Sequence, residues 1–309
     1  MNLKKPKFWD KQKPNFFSYV LIPIAILIKI IISLKLKKKI KVKNIKTICV
    51  GNIYIGGTGK TSLSIKIKEI LTRKNIKTCF VKKFYRRQID EQKLLKNYGK
   101  LFLANKRIDA LNQAVKENYE VAILDDGLQD YSINYDMSLV CFNTINWIGN
   151  GMTIPSGPLR EDLKIIKNYN NIFLNGVHED TFEIEKKALE INPKITIHKG
   201  IYTPTNLDEF DKNDNYLAFS GIGNHLTFVS MLKKLGIKVI KDIEFSDHHA
   251  YKIKDIEKII DLSKKLKAKI ITTEKDYLRL DAYKPQDIKF IRSELIIDDE
   301  QKLINALIN

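Results

Sequence analysis

The segment GNIYIGGTGKT, residues 51–61, has the residue types of a phosphate-binding loop. Residues with little or no side chain let backbone N–H groups turn toward phosphate oxygens at the start of a helix. In such loops a lysine reaches the β- and γ-phosphates and the next hydroxyl ligates Mg²⁺, roles that fall on Lys60 and Thr61. The strict pattern has a further glycine where Tyr54 stands, so one turn differs. The alternative is a plain glycine-rich turn. The predicted nucleotide-binding residues are Gly56, Gly57, Thr58, Gly59, Lys60 and Thr61.

A second candidate site is the segment AILDDGLQ, residues 122–129. An apolar strand that ends in a carboxylate places that acid beside the phosphates in nucleotide-binding α/β proteins. Two adjacent acids, Asp125 and Asp126, would attract a divalent cation there. An Asp-Asp-Gly turn without any metal is the alternative.

The third candidate is SDHHAY, residues 246–251, where an acid precedes two adjacent histidines. Imidazole titrates near neutrality and can take a proton from a hydroxyl while a phosphoryl group arrives. Adjacent side chains on a strand point to opposite sides, so at most one of the two histidines would act. A surface turn and a metal site are the alternatives.

Alternating strand and helix patterns must position these residues. IKTICV (45–50) precedes the glycine loop, a helical pattern starts at Thr61, and YEVAILDD (119–126) is the apolar strand of a sheet buried on both faces. The alternation predicts a doubly wound α/β sheet, followed by a second, smaller α/β domain. We expect a membrane-associated segment at 1–40, a phosphate-loop domain at 41–205 and a C-terminal domain at 206–309.

Composition restricts the class of protein. The chain has 309 residues, 44% of them apolar and 29% charged, which suits a folded protein with two domains. Its three cysteines, Cys49, Cys79 and Cys141, are few and widely spaced. They predict a reducing compartment and small core residues rather than a disulfide framework, with a reactive thiol as the alternative.

The net charge of +18 is concentrated near the start of the chain. Thirteen lysines and one acid, Asp10, precede residue 47, a net of +12. They flank the apolar run 16–34, which Pro23 and Lys29 interrupt. We expect a helix held at the cytoplasmic face of the inner membrane by anionic lipid, with a spanning helix and a buried helix as alternatives. Nucleic acid is not expected as a partner, since residues 35–46 contain no aromatic side chain.

The order of motifs along the chain resembles the tetraacyldisaccharide 4′-kinase (lipid A 4′-kinase) family. The motifs run from VGNIYIGGTGKT through IDEQ, LDDGLQD, GNGMTIPSGPLRE and FSGIGN to FSDHHAY and ITTEKDYLRL, which covers nearly the whole chain. That family's phosphate loop also lacks the first glycine, so Tyr54 fits the family's variant.

The resemblance implies transfer of the γ-phosphate of ATP, with Mg²⁺, to the 4′-hydroxyl of an acylated glucosamine disaccharide 1-phosphate. It implies two α/β domains with the active site in the cleft between them, and we expect a monomer. In the roles that the resemblance implies, Asp125 and Asp126 lie at the metal and Gln129 at the nucleotide. Asp90 and His248 form the catalytic dyad, and Arg160 and Glu161 line the cleft.

Several residues depart from that family's pattern. KKFYRR replaces an Arg-Gly-Tyr-Gly segment, and Ile89 and Gln92 replace the Gly and Pro around Asp90-Glu91. Asp130 and His225 stand where His and Pro are usual. The departures concern the cover over the nucleotide and acceptor binding.

Three alternative functions are a membrane-associated nucleotide switch, a kinase disabled by the altered KKFYRR segment, and a nucleic-acid binder. A GTPase switch should carry an Asn/Thr-Lys-x-Asp motif for the base. NKRI at 105–108 lacks the final acid and TEKD at 273–276 has the wrong order. The family resemblance therefore favours the kinase.

Overall fold

The structure is a computed structural model. It describes residues 5–34, 39–85, 88–176, 181–223, 225–247, 249–280 and 287–308. The chain begins with a 3-10 helix at Lys7–Asp10 and two short helices, α1 at Phe16–Val20 and α2 at Ile22–Leu34. The predicted apolar helix is thus broken between Val20 and Ile22. Asn15 caps α1 by accepting a hydrogen bond from the Ser18 amide at 3.0 Å.

The first unit alternates strands and helices. Its strands are β1 Lys46–Gly51, β2 Thr78–Lys83, β3 Leu101–Ala104, β4 Val121–Asp125, β5 Met137–Asn143, β6 Asn171–Asn175 and β7 Thr196–Pro204. Its helices are α3 Lys60–Arg73, α4 Ile89–Tyr98, α5 Arg107–Lys116 and α6 Phe182–Ile191. β1 lies between β4 and β5 and is parallel to both.

Both faces of this sheet are buried, which explains the continuous apolar strands. Ile48 and Val50 of β1 pack on the face covered by α3, whereas Cys49 packs on the opposite face. The three cysteines are free and buried, as predicted. The glycine loop follows β1 at the carboxyl edge of the sheet, where ligands bind in such folds.

The second unit is a smaller, all-parallel sheet. Its strands are β8 Asn215–Ser220, β9 Lys238–Glu244, β10 Lys269–Thr273 and β11 Ile288–Ile291, in the order β11-β10-β8-β9. Its helices are α7 His225–Lys234, α8 Ile253–Leu266 and α9 Glu274–Arg279. Helices α7 and α8 pack into separate clusters on its two faces. The predicted second α/β fold is present.

The end of the chain returns to the first sheet. β12 at Ser293–Ile297 pairs antiparallel with β7, and α10 at Glu300–Ile308 packs against α3 through Leu303 and Leu307. The larger sheet therefore has the order β12-β7-β6-β5-β1-β4-β2-β3. This differs from the expected second domain of 206–309, since residues 293–308 belong with the first sheet.

The N-terminal helices leave apolar side chains in solvent. Phe16 is 75% exposed, Phe17 62% and Leu27 57%. Ser18 and Ala25 are buried, and Asn150 Nδ2 donates to Ser18 Oγ at 3.0 Å. This exposure argues against the alternative of an ordinary buried helix. Among the described helices, none has the length and apolar character of a membrane span.

Candidate active site

The predicted phosphate loop ends in a strained turn that only glycine fits. Gly59 has a φ of +85° and precedes Lys60, the first residue of α3. A Cβ atom at Gly59 would lie 2.1 Å from Asn175 Nδ2, which belongs to β6. Lys60 and Thr61 therefore stand in the first turn of α3, whose backbone N–H groups face the loop.

Tyr54 takes a structural position in this loop. It forms an isolated antiparallel bridge with Leu159 and is 2% exposed. Its hydroxyl bonds to Asp10 and accepts a hydrogen bond from Lys5 Nζ at 2.9 Å. Burial and the neighbouring Asp10 raise the pKa of this phenol above its usual range. The residue at the missing glycine thus ties the loop to the N-terminal segment.

Asp126 follows β4 at the carboxyl edge and faces the loop lysine. Its Oδ1 lies 3.9 Å from Lys60 Nζ and 3.1 Å from Arg160 Nη1. Its φ is +56°, and Arg107 Nη2 donates to its carbonyl at 2.5 Å. Burial by itself raises the pKa of this carboxyl, but the cations Lys60 and Arg160 outweigh burial and lower the pKa to about 2. Asp126 is therefore ionised at neutral pH.

Asp125 has different surroundings, although it is adjacent in sequence. Its side chain is 0% exposed, and its Oδ2 lies 2.5 Å from Lys82 Nζ. Lys82 also donates to Glu91 Oε2 at 2.7 Å. Burial lowers the pKa of an amine, yet Asp125 and Glu91 raise the pKa of Lys82 above its usual range. Asp125 is held by a buried cation, and Asp126 is the acid that faces the loop.

Gln129, Arg160 and Glu161 form one hydrogen-bonded group beside Asp126. Arg160 Nη1 donates to Gln129 Oε1 at 2.9 Å, and Gln129 Nε2 donates to Glu161 Oε1 at 3.0 Å. Gln129 Nε2 also donates to the Asn52 carbonyl at 2.9 Å, which joins the group to the start of the phosphate loop. The structure thus brings three predicted site residues together.

Asp90 lies in the first turn of α4, and its side chain is 4% exposed. Its Oδ2 lies 2.7 Å from Arg279 Nη2, which belongs to α9 of the second unit. Asp90 precedes Glu91, which connects through Lys82 to Asp125 and so to the neighbouring Asp126. The predicted base is therefore joined to the second unit, and its neighbour Glu91 is joined through Lys82 to Asp125.

The predicted partner of Asp90, His248, lies outside the described residues. The next residue, His249, pairs with Asp255 of α8, with 3.0 Å between Nε2 and Oδ2. The second unit also approaches the phosphate loop directly. A Cβ atom at Gly223 would lie 2.3 Å from the Gly57 amide nitrogen. The segment 221–223 therefore passes over the loop at backbone contact distance.

A cavity of about 680 Å³ lies beside the site. Its apolar lining includes Ile32 of α2, Ile55 and Ile154, and its polar lining includes Gln129 and Arg160. Gln129 and Arg160 also line a smaller polar cavity of about 290 Å³, together with Asp126 and Lys83. The N-terminal helix thus contributes to the wall of a cavity that reaches the site.

The residues at the site fit Mg²⁺ held jointly with phosphate. No group of three or more acidic, histidine or cysteine side chains that could hold a metal occurs in the described ranges. Mg²⁺ in kinases is usually bound through one or two carboxylates plus substrate phosphates, with water completing the shell. The ionised Asp126 and the hydroxyl of Thr61 supply the oxygen donors that such a site needs.

Three residues of the site were missed by the sequence reasoning: Lys82, Arg107 and Arg279. A lysine inside the apolar strand TCFVKK is a detectable signal, because a buried cation needs an acidic partner. Arg279 lies three residues after Asp276 on a short helix. It belongs to the ITTEKDYLRL motif, which supports the family resemblance but assigns no role to the arginine. Arg107 carries no signal, since its partners lie 19 and 23 residues away in a loop.

The fold and the site define an α/β phosphate-loop protein of the kinase type. The family model for tetraacyldisaccharide-1-P 4′-kinase matches residues 17–309. A tetraacyldisaccharide 4′-kinase of Pelagibacter ubique (strain HTCC1062) is 58% identical over 308 residues, covering 100% of this chain and 98% of that protein. One from Rickettsia akari (strain Hartford) is 32% identical over 299 residues, covering 90% and 89%.

A solved structure has the same fold. The crystal structure of LpxK from Aquifex aeolicus in complex with ATP matches with a TM-score of 0.65 at 24% identity, covering 94% of this chain and 96% of that one. The chain belongs to the tetraacyldisaccharide 4′-kinase family. The predicted family, fold class and kinase activity are confirmed, and membership of a kinase family supports the predicted cofactors, ATP and Mg²⁺.

Proposed function

We propose that the protein transfers the γ-phosphoryl group of ATP to the 4′-hydroxyl of an acylated glucosamine disaccharide 1-phosphate at the cytoplasmic face of the inner membrane. The product is the 1,4′-bisphosphate. The contact path from the phosphate loop to Asp90 carries the proposal. Gly223 of the second unit meets Gly57, Gly221 of the same segment accepts from Arg279, and Arg279 pairs with Asp90.

Each side chain then has a chemical role. The loop 56–59 and the first turn of α3 bind the phosphates through backbone N–H groups, and Lys60 balances their charge. Asp126 and Thr61 would hold Mg²⁺, which would supply positive charge to the phosphate groups. Arg160 orients Asp126 through its hydrogen bond to Oδ1, and Gln129 in turn holds Arg160. In kinases of this type positioning and charge stabilisation supply most of the rate.

Asp90 accepts the proton of the acceptor hydroxyl, with His248 as its partner. The hydroxyl oxygen forms a bond to the γ-phosphorus, the bond from that phosphorus to the β–γ bridging oxygen breaks, and ADP leaves. General base catalysis typically contributes about 10²- to 10⁴-fold. A carboxylate with a histidine partner can pass the proton on, because the imidazole titrates near neutral pH.

The cavity beside the site suits an acceptor with both sugar and acyl parts. We assign the acyl chains to the lining by Ile32, Ile55 and Ile154, and the sugar to Gln129 and Arg160. The exposed apolar side chains of α1 and α2 support contact with lipid, since an acylated disaccharide stays in the bilayer. The lysines near residues 5–13 favour anionic lipid.

The test compares wild-type protein with Asp90→Asn. ADP release is measured with and without the disaccharide 1-phosphate in detergent micelles, and the ATP dissociation constant is measured separately. We expect ADP release that depends on the acceptor, at least about 100-fold slower turnover in the variant, and an ATP affinity within about threefold of wild type. Asp109→Asn, on the exposed face of α5, is the matched control. ADP release at the same rate with and without the acceptor would favour the nucleotide switch.

A further inference from the structure

Arg279 links the two units at the site. It is the last residue of α9 in the second unit, and its side chain is only 8% exposed. The proposed reaction assigns no role to it. A buried guanidinium keeps its charge and must be paired. Each of its hydrogen bonds therefore restricts where the partner group can lie.

The guanidinium contacts three groups at once. Its Nη1 donates to the Gly221 carbonyl at 2.5 Å and lies 2.8 Å from Asp276 Oδ1. Its Nη2 donates to Asp90 Oδ2 at 2.7 Å. Burial lowers the pKa of this guanidinium, and the carboxylates of Asp276 and Asp90 more than offset that and raise it. Arg279 thus bridges a carboxylate of its own unit and the predicted base of the other unit.

Asp276 makes the anchor rigid. Its side chain is fully buried and accepts hydrogen bonds from Tyr251 Oη and the Gly221 amide, both at 2.9 Å, and from Thr273 Oγ1 at 2.7 Å. The end of the guanidinium near Asp276 is therefore fixed relative to the second sheet. The other end determines where the Asp90 carboxylate lies relative to that sheet.

The same arginine fixes the segment above the phosphate loop. Gly221, whose carbonyl and amide are both held in this network, is two residues from Gly223. Gly223 approaches the Gly57 amide so closely that any side chain there would collide with it. The Arg279 side chain thus sets the position of both the Asp90 carboxylate and the segment 221–223, which lies over the phosphate loop.

We propose that Arg279 is a positioning residue for the phosphoryl transfer. It orients the Asp90 carboxylate and couples that orientation to the segment 221–223 over the phosphate loop. The inference rests on the proposed role of Asp90 as the base. Lysine cannot replace the guanidinium fully, because a point charge cannot bridge three acceptors in a plane.

The test is a double-mutant cycle of Arg279→Gln and Asp90→Asn, with the turnover number, the KM for the acceptor and the ATP dissociation constant measured for each protein. We expect Arg279→Gln to lower turnover by about 30- to 100-fold, the cost of misplacing a catalytic group by about 1 Å, with ATP affinity within about threefold. In the Asp90→Asn background the same change should alter turnover by less than about threefold, because its target is already lost.

Two further variants separate this role from a loss of folding. Arg279→Lys should retain more turnover than Arg279→Gln. If Arg279→Gln fails to fold, Arg279→Lys takes its place in the double-mutant cycle with Asp90→Asn. Arg292→Gln is the matched control, since Arg292 is a half-exposed arginine of the same unit that pairs with Glu209. Its turnover should equal that of wild type.

The outcomes distinguish the two proposals. If Asp90→Asn leaves turnover unchanged, the proposed base is wrong and the role of Arg279 falls with it. If Asp90→Asn abolishes turnover while Arg279→Gln does not alter it, only the role of Arg279 is wrong. Equal effects of Arg279→Gln in both backgrounds would show that it acts independently of Asp90 and would also overturn the inference.

Discussion

Replacement of Lys82 by methionine tests the buried ion pairs under the site. Methionine fills a similar volume without charge, so the variant leaves Asp125 buried without its cation. In the structure Lys82 Nζ lies 2.5 Å from Asp125 Oδ2 and 2.7 Å from Glu91 Oε2. The side chains of Lys82 and Asp125 are both 0% exposed, whereas Glu91 is 11% exposed and reaches some solvent. The penalty therefore falls mainly on Asp125.

The expected loss of unfolding free energy is about 3–5 kcal/mol, the usual result of removing one partner from a buried pair. That is a large share of the roughly 5–15 kcal/mol available to a folded domain. The double variant Lys82→Met/Asp125→Asn should recover about half of the loss, because it removes the fully buried charge and leaves only Glu91, which reaches some solvent. The net worth of the intact pair is smaller than the loss, since desolvation of both charges opposes their attraction.

Urea unfolding followed by circular dichroism measures the loss. The matched control is Lys100→Met, whose partner Glu117 is 3.0 Å away while both side chains are nearly half exposed. The control should show no measurable change, because solvent screens that pair. A loss below about 1 kcal/mol for Lys82→Met, or an equal loss for the control, would refute the buried-pair reasoning.

Three other changes have defined outcomes. Asp126→Asn should raise the Mg²⁺ concentration for half-maximal turnover at least about tenfold, whereas Asp109→Asn should not; equal Mg²⁺ dependence would exclude Asp126 as the metal-facing acid. Burial lowers the pKa of His198 from 6.5 to about 4. Between pH 7 and pH 4 the unfolding free energy of the wild type should therefore fall by about 3 kcal/mol more than that of His198→Gln. The unfolded chain takes up the proton first in this window, so stability declines as the pH falls through it, and parallel pH curves would contradict the assignment. Replacing Phe16, Phe17 and Leu27 by serine should lower partition onto phosphatidylglycerol vesicles at least about tenfold in flotation. The control Phe182→Ser/Leu226→Ser removes side chains that are 69% and 70% exposed elsewhere, and an equal drop would mean that exposure alone explains binding.

Local patterns were sufficient for much of the fold. The strand before the glycine loop, the helix from Lys60 and the apolar strand ending at Asp125 all follow from hydrophobic periodicity and turn residues, which are properties of short segments. The same patterns did not predict that β12 returns to pair with β7. That pairing joins segments about 90 residues apart, and the short sequence SELII has no feature that selects one sheet over the other.

The candidate site divides in the same way. Lys60, Thr61 and Asp126 could be predicted as site residues because their chemistry is encoded by residue type and close spacing. The difference between Asp125 and Asp126 was not predictable, since it depends on Lys82 from a neighbouring strand. Arg279 was missed because its role exists only after two distant segments meet. Sequence reasoning finds groups whose chemistry is local and misses cations such as Lys82 and Arg279, whose partners lie on other segments of the chain.

The proposed phosphoryl transfer can be followed as ³²P passing from γ-labelled ATP to the acylated disaccharide 1-phosphate, with and without Mg²⁺. If the proposed reaction is correct, a labelled lipid forms only when Mg²⁺ is present, and tandem mass spectrometry of the unlabelled product places the new phosphate at the 4′ position. Labelled inorganic phosphate without labelled lipid would contradict it.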